Sequence, residues 1–231
     1  MEKIKFIHRV SKGTRFNQIY IPREMQTKFE PGYLVEVTLL EQGSVYYSPN
    51  LQEISKFKQE LIKNIFLELK KYKEISQIFV IGSFLTQKQD FNDIDIILIT
   101  DKADNNPEKE VFDNLLGKFE LKFHVISIPK DKFDSLQKND PLTRSMLYYY
   151  VTNKEFKLSG DIQINKEHLK FLLMMPQDVL KIKLNSRVYY DSIRRLIAIE
   201  KFLENKPLDP LSIDNEMKKN LFQEVASLDL V

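Results

Sequence analysis

Four residues in the middle of the chain combine a phosphate-binding pattern with a metal-binding pattern. Gly82 and Ser83 end an apolar stretch, and Asp93 and Asp95 follow after a nine-residue loop. Glycine lets a backbone approach a ligand closely, and serine offers both its N–H and its hydroxyl to a phosphate. Two carboxylates at alternate positions of a strand project from the same face, where a hard divalent cation relieves their repulsion. The pattern predicts binding of a metal-bound phosphate compound, which points to nucleotide chemistry.

The residues around these motifs predict the elements that position them. A capping box formed by Asn50 and Glu53 predicts the start of an amphipathic helix, which leads into a buried strand over residues 77–82. A second apolar strand is predicted over residues 93–99, so that the acidic pair lies at its entrance. Both motifs are therefore expected at neighbouring strand ends.

A further helix and strand complete this predicted sheet. The helix is expected to start at Asn106 and Pro107 and to end at Gly117. A third strand is expected over residues 120–128, where Pro129 stops it. The order helix, strand, strand, helix, strand predicts a small mixed sheet of the α/β class.

This arrangement over roughly residues 53–160 resembles the nucleotidyltransferase superfamily, which includes DNA polymerase beta and the minimal nucleotidyltransferases. The family joins an apolar strand and Gly-Ser to a loop and Asp-x-Asp on the next strand. The resemblance implies that Asp93 and Asp95 hold Mg²⁺ or Mn²⁺ and that Gly82 and Ser83 contact the β and γ phosphates. Lys88 in the loop could neutralise charge. The implied reaction transfers a nucleoside monophosphate from a nucleoside triphosphate to a hydroxyl.

One feature of the family is missing from its expected place. The family has a third carboxylate on the later strand, which acts as a base or completes a second metal site. With period-two alternation, Glu120, Lys122 and His124 share a face there. Glu120 could supply the acid in a shifted register, or His124 could serve as the base, since histidine titrates near neutral pH. Alternatively, the site binds nucleotide without transferring it, or His124 is only a hydrogen-bonded residue at a strand edge.

The N-terminal residues 1–45 form a separate, basic module. Residues 1–28 carry seven lysine and arginine side chains and two glutamates. Short strands are predicted near residues 4–8, 18–21 and 34–39, with one or two helical turns over residues 23–28. So small a unit would be marginally stable alone, and pairing with a second copy would solve that problem.

The run from Ser11 to Val37 resembles the AbrB-type swapped-hairpin domain, which has a strand ending in Ile-Pro, a short helix and a Pro-Gly turn. That family forms intertwined dimers that bind DNA through basic residues. The resemblance implies a homodimer and DNA contacts from comparable basic positions, which are Arg9, Lys12, Arg15 and Arg23. The alternative is a β-rich dimerisation or docking module whose basic residues are merely solvated.

The last part of the chain, residues 161–231, is predicted to be helical. Before this region, Asp140 and Pro141 are expected to cap a helical segment that continues through Tyr150. Within the region, apolar spacing predicts an amphipathic helix from Val188 to Leu203. The predicted organisation is a basic module over residues 1–45, a nucleotidyltransferase-like domain over residues 50–160 and this helical region.

Composition excludes several classes of site. The chain has no cysteine, which excludes disulfides and thiolate chemistry, and its three histidines lack metal-ligand spacing. These observations favour oxygen-ligated Mg²⁺ or Mn²⁺ as the metal. No apolar run is long enough to span a membrane, and the first residues do not resemble a signal peptide, so a cytoplasmic protein is expected.

Two main hypotheses about function follow. The first is a metal-dependent nucleotidyltransferase with an appended module for dimerisation or DNA binding, favoured by the intact Asp-x-Asp. The second is a catalytically degenerate DNA-binding regulator or antitoxin-like binding protein, favoured by the missing third acid. A nucleic-acid processing factor whose N-terminal module brings the active site to its substrate is a third possibility.

Overall fold

The computed structural model describes residues 10–37, 45–87, 91–101, 106–181 and 185–228. The chain forms two compact units, residues 1–42 and residues 43–231. The described residues of the two units contain a two-stranded sheet, a five-stranded sheet and seven α-helices. The predicted mixed α/β class is confirmed.

The N-terminal unit contains a short hairpin and a 3₁₀ helix. Strands β1 (Ser11–Lys12) and β2 (Asn17–Gln18) pair antiparallel, and the 3₁₀ helix spans Arg23–Lys28. Gly32 has a φ of +97° in the turn that follows. The predicted strand over residues 34–39 does not form at residues 34–37, and the remainder of it lies outside the described residues, as does the predicted strand near residues 4–8.

Apolar side chains of the N-terminal unit are exposed. Among residues 10–37, none whose side chain is described is buried. Leu34 is fully exposed, and Phe16 and Val37 are 76% and 68% exposed. Because stability comes mainly from buried apolar surface, residues 10–37 of one copy gain little of it.

The second unit is built on a mixed sheet with the strand order β3-β7-β4-β5-β6. Its strands are β3 (Tyr46–Tyr47), β4 (Ile75–Ile81), β5 (Ile94–Thr100), β6 (Phe123–Pro129) and β7 (Tyr150–Thr152). Strands β5 and β6 are parallel, and the other neighbours are antiparallel.

Three helices cover the two faces of this sheet, and a fourth, short helix follows the third. They are α1 (Lys56–Leu69), α2 (Glu108–Phe119), α3 (Lys130–Asn139) and α4 (Pro141–Met146). Ile94, Ile96 and Leu98 of β5 pack in one core with residues of α1 and α2. Ile97 and Ile99 face the other way and pack with Phe133 of α3 in a second core. This alternation fixes which face each side chain of β5 takes.

The outer edge of β6 is tied to helix α2. In the sheet formed by the described residues, β6 is an edge strand. The Ser127 backbone N–H donates to the Glu108 carboxylate at 2.6 Å. The first turn of α2 therefore caps one backbone amide of β6.

Three predicted helix boundaries are wrong. Helix α1 begins at Lys56, because Ser55 accepts from the Lys58 N–H while the Asn50 amide donates to the Tyr148 carbonyl instead. Helix α2 continues past Gly117 to Phe119. The helix begun by Asp140 ends at Met146, and Tyr150 lies in a strand that pairs with β4.

Three further helices form a separate core. They are α5 (Lys166–Val179), α6 (Ser186–Leu203) and α7 (Pro210–Leu228). Their buried residues include Leu172, Phe202 and Ile213, and Leu142 of α4 packs against this core. The Tyr149 hydroxyl donates to Asp209 at 2.8 Å, which also joins these helices to the sheet region. Within the described ranges, no helix is both long and apolar enough to cross a membrane.

Candidate functional site

Strands β5 and β6 bring Asp95 and His124 side by side. The two residues are register partners in the parallel pair, so their side chains project from the same face. His124 Nδ1 lies 3.1 Å from Asp95 Oδ1, and the two side chains are 62% and 29% exposed. Their backbones are fixed by the ladder, so the pair belongs to the sheet and not to a mobile loop.

Gly82 lies directly against the Asp95 carboxylate. It follows β4, whose last residue, Ile81, pairs with Asp95. Gly82 has φ +79° and ψ −162°, a backbone conformation that residues other than glycine rarely adopt. A Cβ at this position would overlap Asp95 Oδ2 and lie 3.1 Å from its Cγ. The glycine is therefore required by both the backbone and the carboxylate.

Ser83 is presented beside this glycine by a short turn. It starts a 3₁₀ helix over Ser83–Leu85, in which Phe84 and Leu85 are buried. The Thr86 N–H and hydroxyl both donate to the Ser83 carbonyl, at 3.0 and 2.8 Å. The buried residues anchor the turn and leave Gly82 and Ser83 at the surface, where a phosphate can reach them.

The electrostatics of Asp95 indicate a site that is suited to a cation. Burial raises the pKa of Asp95, the nearby charge of Asp93 adds to that rise, and the contact with His124 opposes it. Asp93 is half-buried and lies immediately before β5. A divalent cation would relieve the burial and repulsion that disfavour the Asp95 carboxylate.

The structure limits how many protein ligands a metal can have here. In the part of the chain that is described, no group of three or more histidine, cysteine, aspartate or glutamate side chains is placed to hold a metal ion. Mg²⁺ beside nucleotides usually takes only one or two carboxylates from the protein and completes its ligands with phosphate oxygens and water, so a site with Asp93 and Asp95 alone would not need a third acid.

Glu120 does not occupy the position predicted for a third acid. It ends helix α2 in the left-handed conformation, with φ 54°, and its N–H donates to the Leu116 carbonyl. Strand β6 begins only at Phe123, so the predicted strand over residues 120–128 starts too early. Because Glu120 precedes the paired residues, the residue that lies beside Asp95 is His124.

The other predicted site residues lie elsewhere or outside the described ranges. Lys88 and Arg9 belong to the residues that the structure does not describe. Lys12, Arg15 and Arg23 are exposed in the N-terminal unit, on β1, in the hairpin turn and at the start of the 3₁₀ helix.

Lys58 is a residue near the site that sequence reasoning missed. Its side chain is buried on α1, and its Nζ donates to the Thr86 carbonyl at 2.9 Å. The ammonium also lies over the rings of Phe84 and Phe91, at 5.2 and 5.8 Å. Burial lowers the pKa of Lys58. The signal in the sequence was its position, three residues before Leu61 on the apolar face of α1.

Comparisons with known proteins give no assignment. No family model, curated protein or solved structure matches the chain.

Proposed function

We propose that this chain is a metal-dependent nucleotidyltransferase that transfers a nucleoside monophosphate from a nucleoside triphosphate to a hydroxyl acceptor. The observation that carries the proposal is the position of Asp95 between the Gly82 backbone and His124, at the entrance of β5. Gly82 has a backbone conformation that is essentially restricted to glycine, and such conformations cluster at functional sites, which supports a ligand here.

Each residue has a distinct task in this proposal. Asp93 and Asp95 hold Mg²⁺ or Mn²⁺, which when bound neutralises the triphosphate and polarises its phosphorus. Gly82 lets the triphosphate approach the backbone, and Ser83 donates to a phosphate oxygen. Transfer breaks the bond between the α and β phosphates and forms one between the α phosphorus and the acceptor oxygen. Pyrophosphate is the leaving group, and the proton of the acceptor hydroxyl passes to solvent.

Lys58 holds the proposed phosphate-binding turn in place. Its hydrogen bond to the Thr86 carbonyl ties α1 to the turn that begins at Ser83. A buried charge is costly unless it is paired or hydrogen-bonded, so a lysine at this core-facing position needs a reason. The reason is that Lys58 holds the turn in one geometry, since transfer rates depend strongly on how the triphosphate is placed.

The decisive experiment follows label from an α-phosphate. The chain is incubated with each α-labelled nucleoside triphosphate, Mg²⁺ or Mn²⁺, and candidate protein, RNA and small-molecule acceptors. Asp93→Ala/Asp95→Ala is expected to abolish metal-dependent transfer. Asp113→Ala/Asp191→Ala, which removes two exposed aspartates of α2 and α6, serves as the matched control and is expected to retain it. Transfer that persists in the first variant would remove the basis of the proposal.

A catalytically degenerate binding protein is the second candidate. It is favoured by one observation, which is that no third acid lies beside Asp95 among the described residues. The same label experiment separates the two, since a degenerate protein would bind nucleotide in an equilibrium assay and show no transfer with any acceptor.

We also propose that the N-terminal unit forms a homodimer that binds DNA. The exposed apolar residues, above all Leu34, Val35 and Val37, support pairing with a second copy. Exposed basic residues on the same unit support an electrostatic contact with phosphates.

A salt titration tests the DNA contact. Lys12→Ala/Arg15→Ala/Arg23→Ala should weaken binding to all sequences and reduce the slope of log affinity against log salt by about 2 to 3. The control removes three exposed lysines of the other unit, Lys154, Lys157 and Lys166. Equal losses in both variants, or a slope that does not change, would refute this mode of binding.

A further inference from the structure

The spacing of Asp95 and His124 matches that of two ligands on one cation. The nearest donor atoms, Asp95 Oδ1 and His124 Nδ1, lie 3.1 Å apart. Neighbouring ligand atoms of an octahedral ion with bonds of about 2.1 to 2.2 Å are about 3 Å apart. The pair is therefore spaced for adjacent positions on a single ion.

The ring nitrogen of His124 that faces the Asp95 carboxylate is the one that could bind the same ion. Nδ1 is directed at Asp95, and the register of β5 and β6 fixes that relation. A cation bound to Asp95 Oδ1 would therefore lie within reach of Nδ1.

We propose that His124 is a metal ligand together with Asp95, and that this mixed nitrogen and oxygen site selects Mn²⁺ over Mg²⁺. The inference rests on the proposed function for the presence of a metal, and it specifies which ion the site takes. Mg²⁺ strongly prefers oxygen ligands in strict octahedral geometry, whereas transition ions accept imidazole. Mn²⁺ tolerates both kinds of ligand and remains compatible with phosphate oxygens.

The positions of Gly82 and Asp93 around the Asp95 carboxylate are compatible with the proposed metal centre. The Gly82 backbone fills one side of the Asp95 carboxylate, on the side of Oδ2, while Oδ1 faces His124. Asp93 lies near enough for its charge to act on Asp95. The exposure of His124 leaves room for water and phosphate on the ion.

The test measures metal binding on the full chain without relying on turnover. Mn²⁺ alone, and Mn²⁺ with a non-hydrolysable triphosphate analogue, are titrated and followed by electron paramagnetic resonance. Spin-echo spectra of the bound ion then report whether a nitrogen atom is coordinated. Competition with Mg²⁺ gives the ratio of the two affinities.

Three variants make the outcome specific. His124→Ala is expected to lose the nitrogen coupling and to weaken Mn²⁺ binding by about tenfold or more. His124→Asp, which restores an oxygen ligand, should shift the preference towards Mg²⁺. His168→Gln is the matched control, because His168 also lies near an aspartate, with Nε2 3.5 Å from Asp140 Oδ2. That aspartate already caps α4, so the control should bind Mn²⁺ like the wild type.

The possible results separate this inference from the proposed function. Nitrogen coupling that His124→Ala abolishes supports the inference even if no nucleotide is transferred. Metal-dependent transfer without nitrogen coupling, or with an unchanged Mn²⁺ to Mg²⁺ ratio in His124→Asp, overturns the inference and leaves the proposed function standing. Absence of Mn²⁺ binding in both titrations overturns it as well.

Discussion

Replacing Gly82 by alanine should destabilise the protein more than the same change at Gly32, Gly117 or Gly160, where a Cβ would meet nothing within 4 Å. The new Cβ would overlap the Asp95 carboxylate oxygen that faces Gly82. The residue would also have to keep φ +79° and ψ −162°. These are two separate penalties, one from the backbone and one from a neighbouring side chain.

The magnitude follows from adding the two penalties. A residue other than glycine in this region of conformational space costs about 1 to 3 kcal/mol. Moving the Asp95 side chain about 30° from its rotamer adds about 0.5 to 1.5 kcal/mol. The free energy of unfolding should therefore fall by about 1.5 to 4.5 kcal/mol. For a chain of this size, each kcal/mol lowers Tm by about 2 to 4 °C.

The assay is urea unfolding at neutral pH, with Gly117→Ala as the matched control. Gly117 lies inside α2, and a Cβ there meets nothing within 4 Å. Alanine in a helix interior is favoured over glycine by about 1 kcal/mol, so this control should be stabilised. The two substitutions are chemically identical, and they are expected to change stability in opposite directions.

A double mutant separates the two penalties. In Gly82→Ala/Asp95→Ala the overlapping carboxylate is gone, so only the backbone strain remains. The cycle should show a coupling of about 0.5 to 1.5 kcal/mol between the two positions. Equal effects of the two glycine substitutions would refute the backbone argument, and a coupling of zero would refute the contact between Gly82 and Asp95.

Four further predictions concern other parts of the chain. Burial raises the pKa of Asp95, so the stability of the protein falls as pH rises through that raised value. Asp95→Asn should therefore raise the Tm of the metal-free protein at neutral pH, where the buried carboxylate is destabilising, but not near about pH 3. Contacts from Lys118, Lys71 and Asn114 lower the pKa of Glu68 to about 2, so its contribution is present above the unfolded value of 4.5 and is lost as pH falls through about 2. Glu68→Gln should therefore cost about 1 kcal/mol in urea unfolding at neutral pH and nothing near pH 2. Leu34→Asp should convert a dimer to a monomer in light scattering, whereas Leu180→Asp, at another highly exposed leucine, should not. Lys58→Met should reduce label transfer by about tenfold to a hundredfold while circular dichroism stays unchanged, because the turn loses its hydrogen bond to Thr86, and Lys58→Arg should recover part of the activity.

The strands that carry the site could be predicted from sequence because their signals are local. The apolar run of β4, the glycine after it and the alternating carboxylates of β5 specify strand, turn and face without reference to distant residues. The sequence also placed His124 on the next strand. It could not show that this residue is the register partner of Asp95, because that pairing depends on where β6 begins.

The errors came from interactions between residues distant in sequence. Asn50 has the right spacing for a helix cap, but its amide bonds to the Tyr148 carbonyl, which is far away along the chain. Tyr150 looked helical, but its strand pairs with β4 and its hydroxyl donates to the Phe156 carbonyl. Lys58 was overlooked because a charged residue on a helix is normally solvated, and its partner Thr86 lies in a different element.

The bond between Glu108 and Ser127 has a consequence for how copies of this protein can associate. An exposed edge strand is a template on which another chain can add its own strand, and repeated addition produces aggregates. At β6 one outward amide already has a carboxylate partner, and that carboxylate places negative charge at the edge. An incoming strand would have to displace it. The large unit thus carries a safeguard against open-ended polymerisation at this edge.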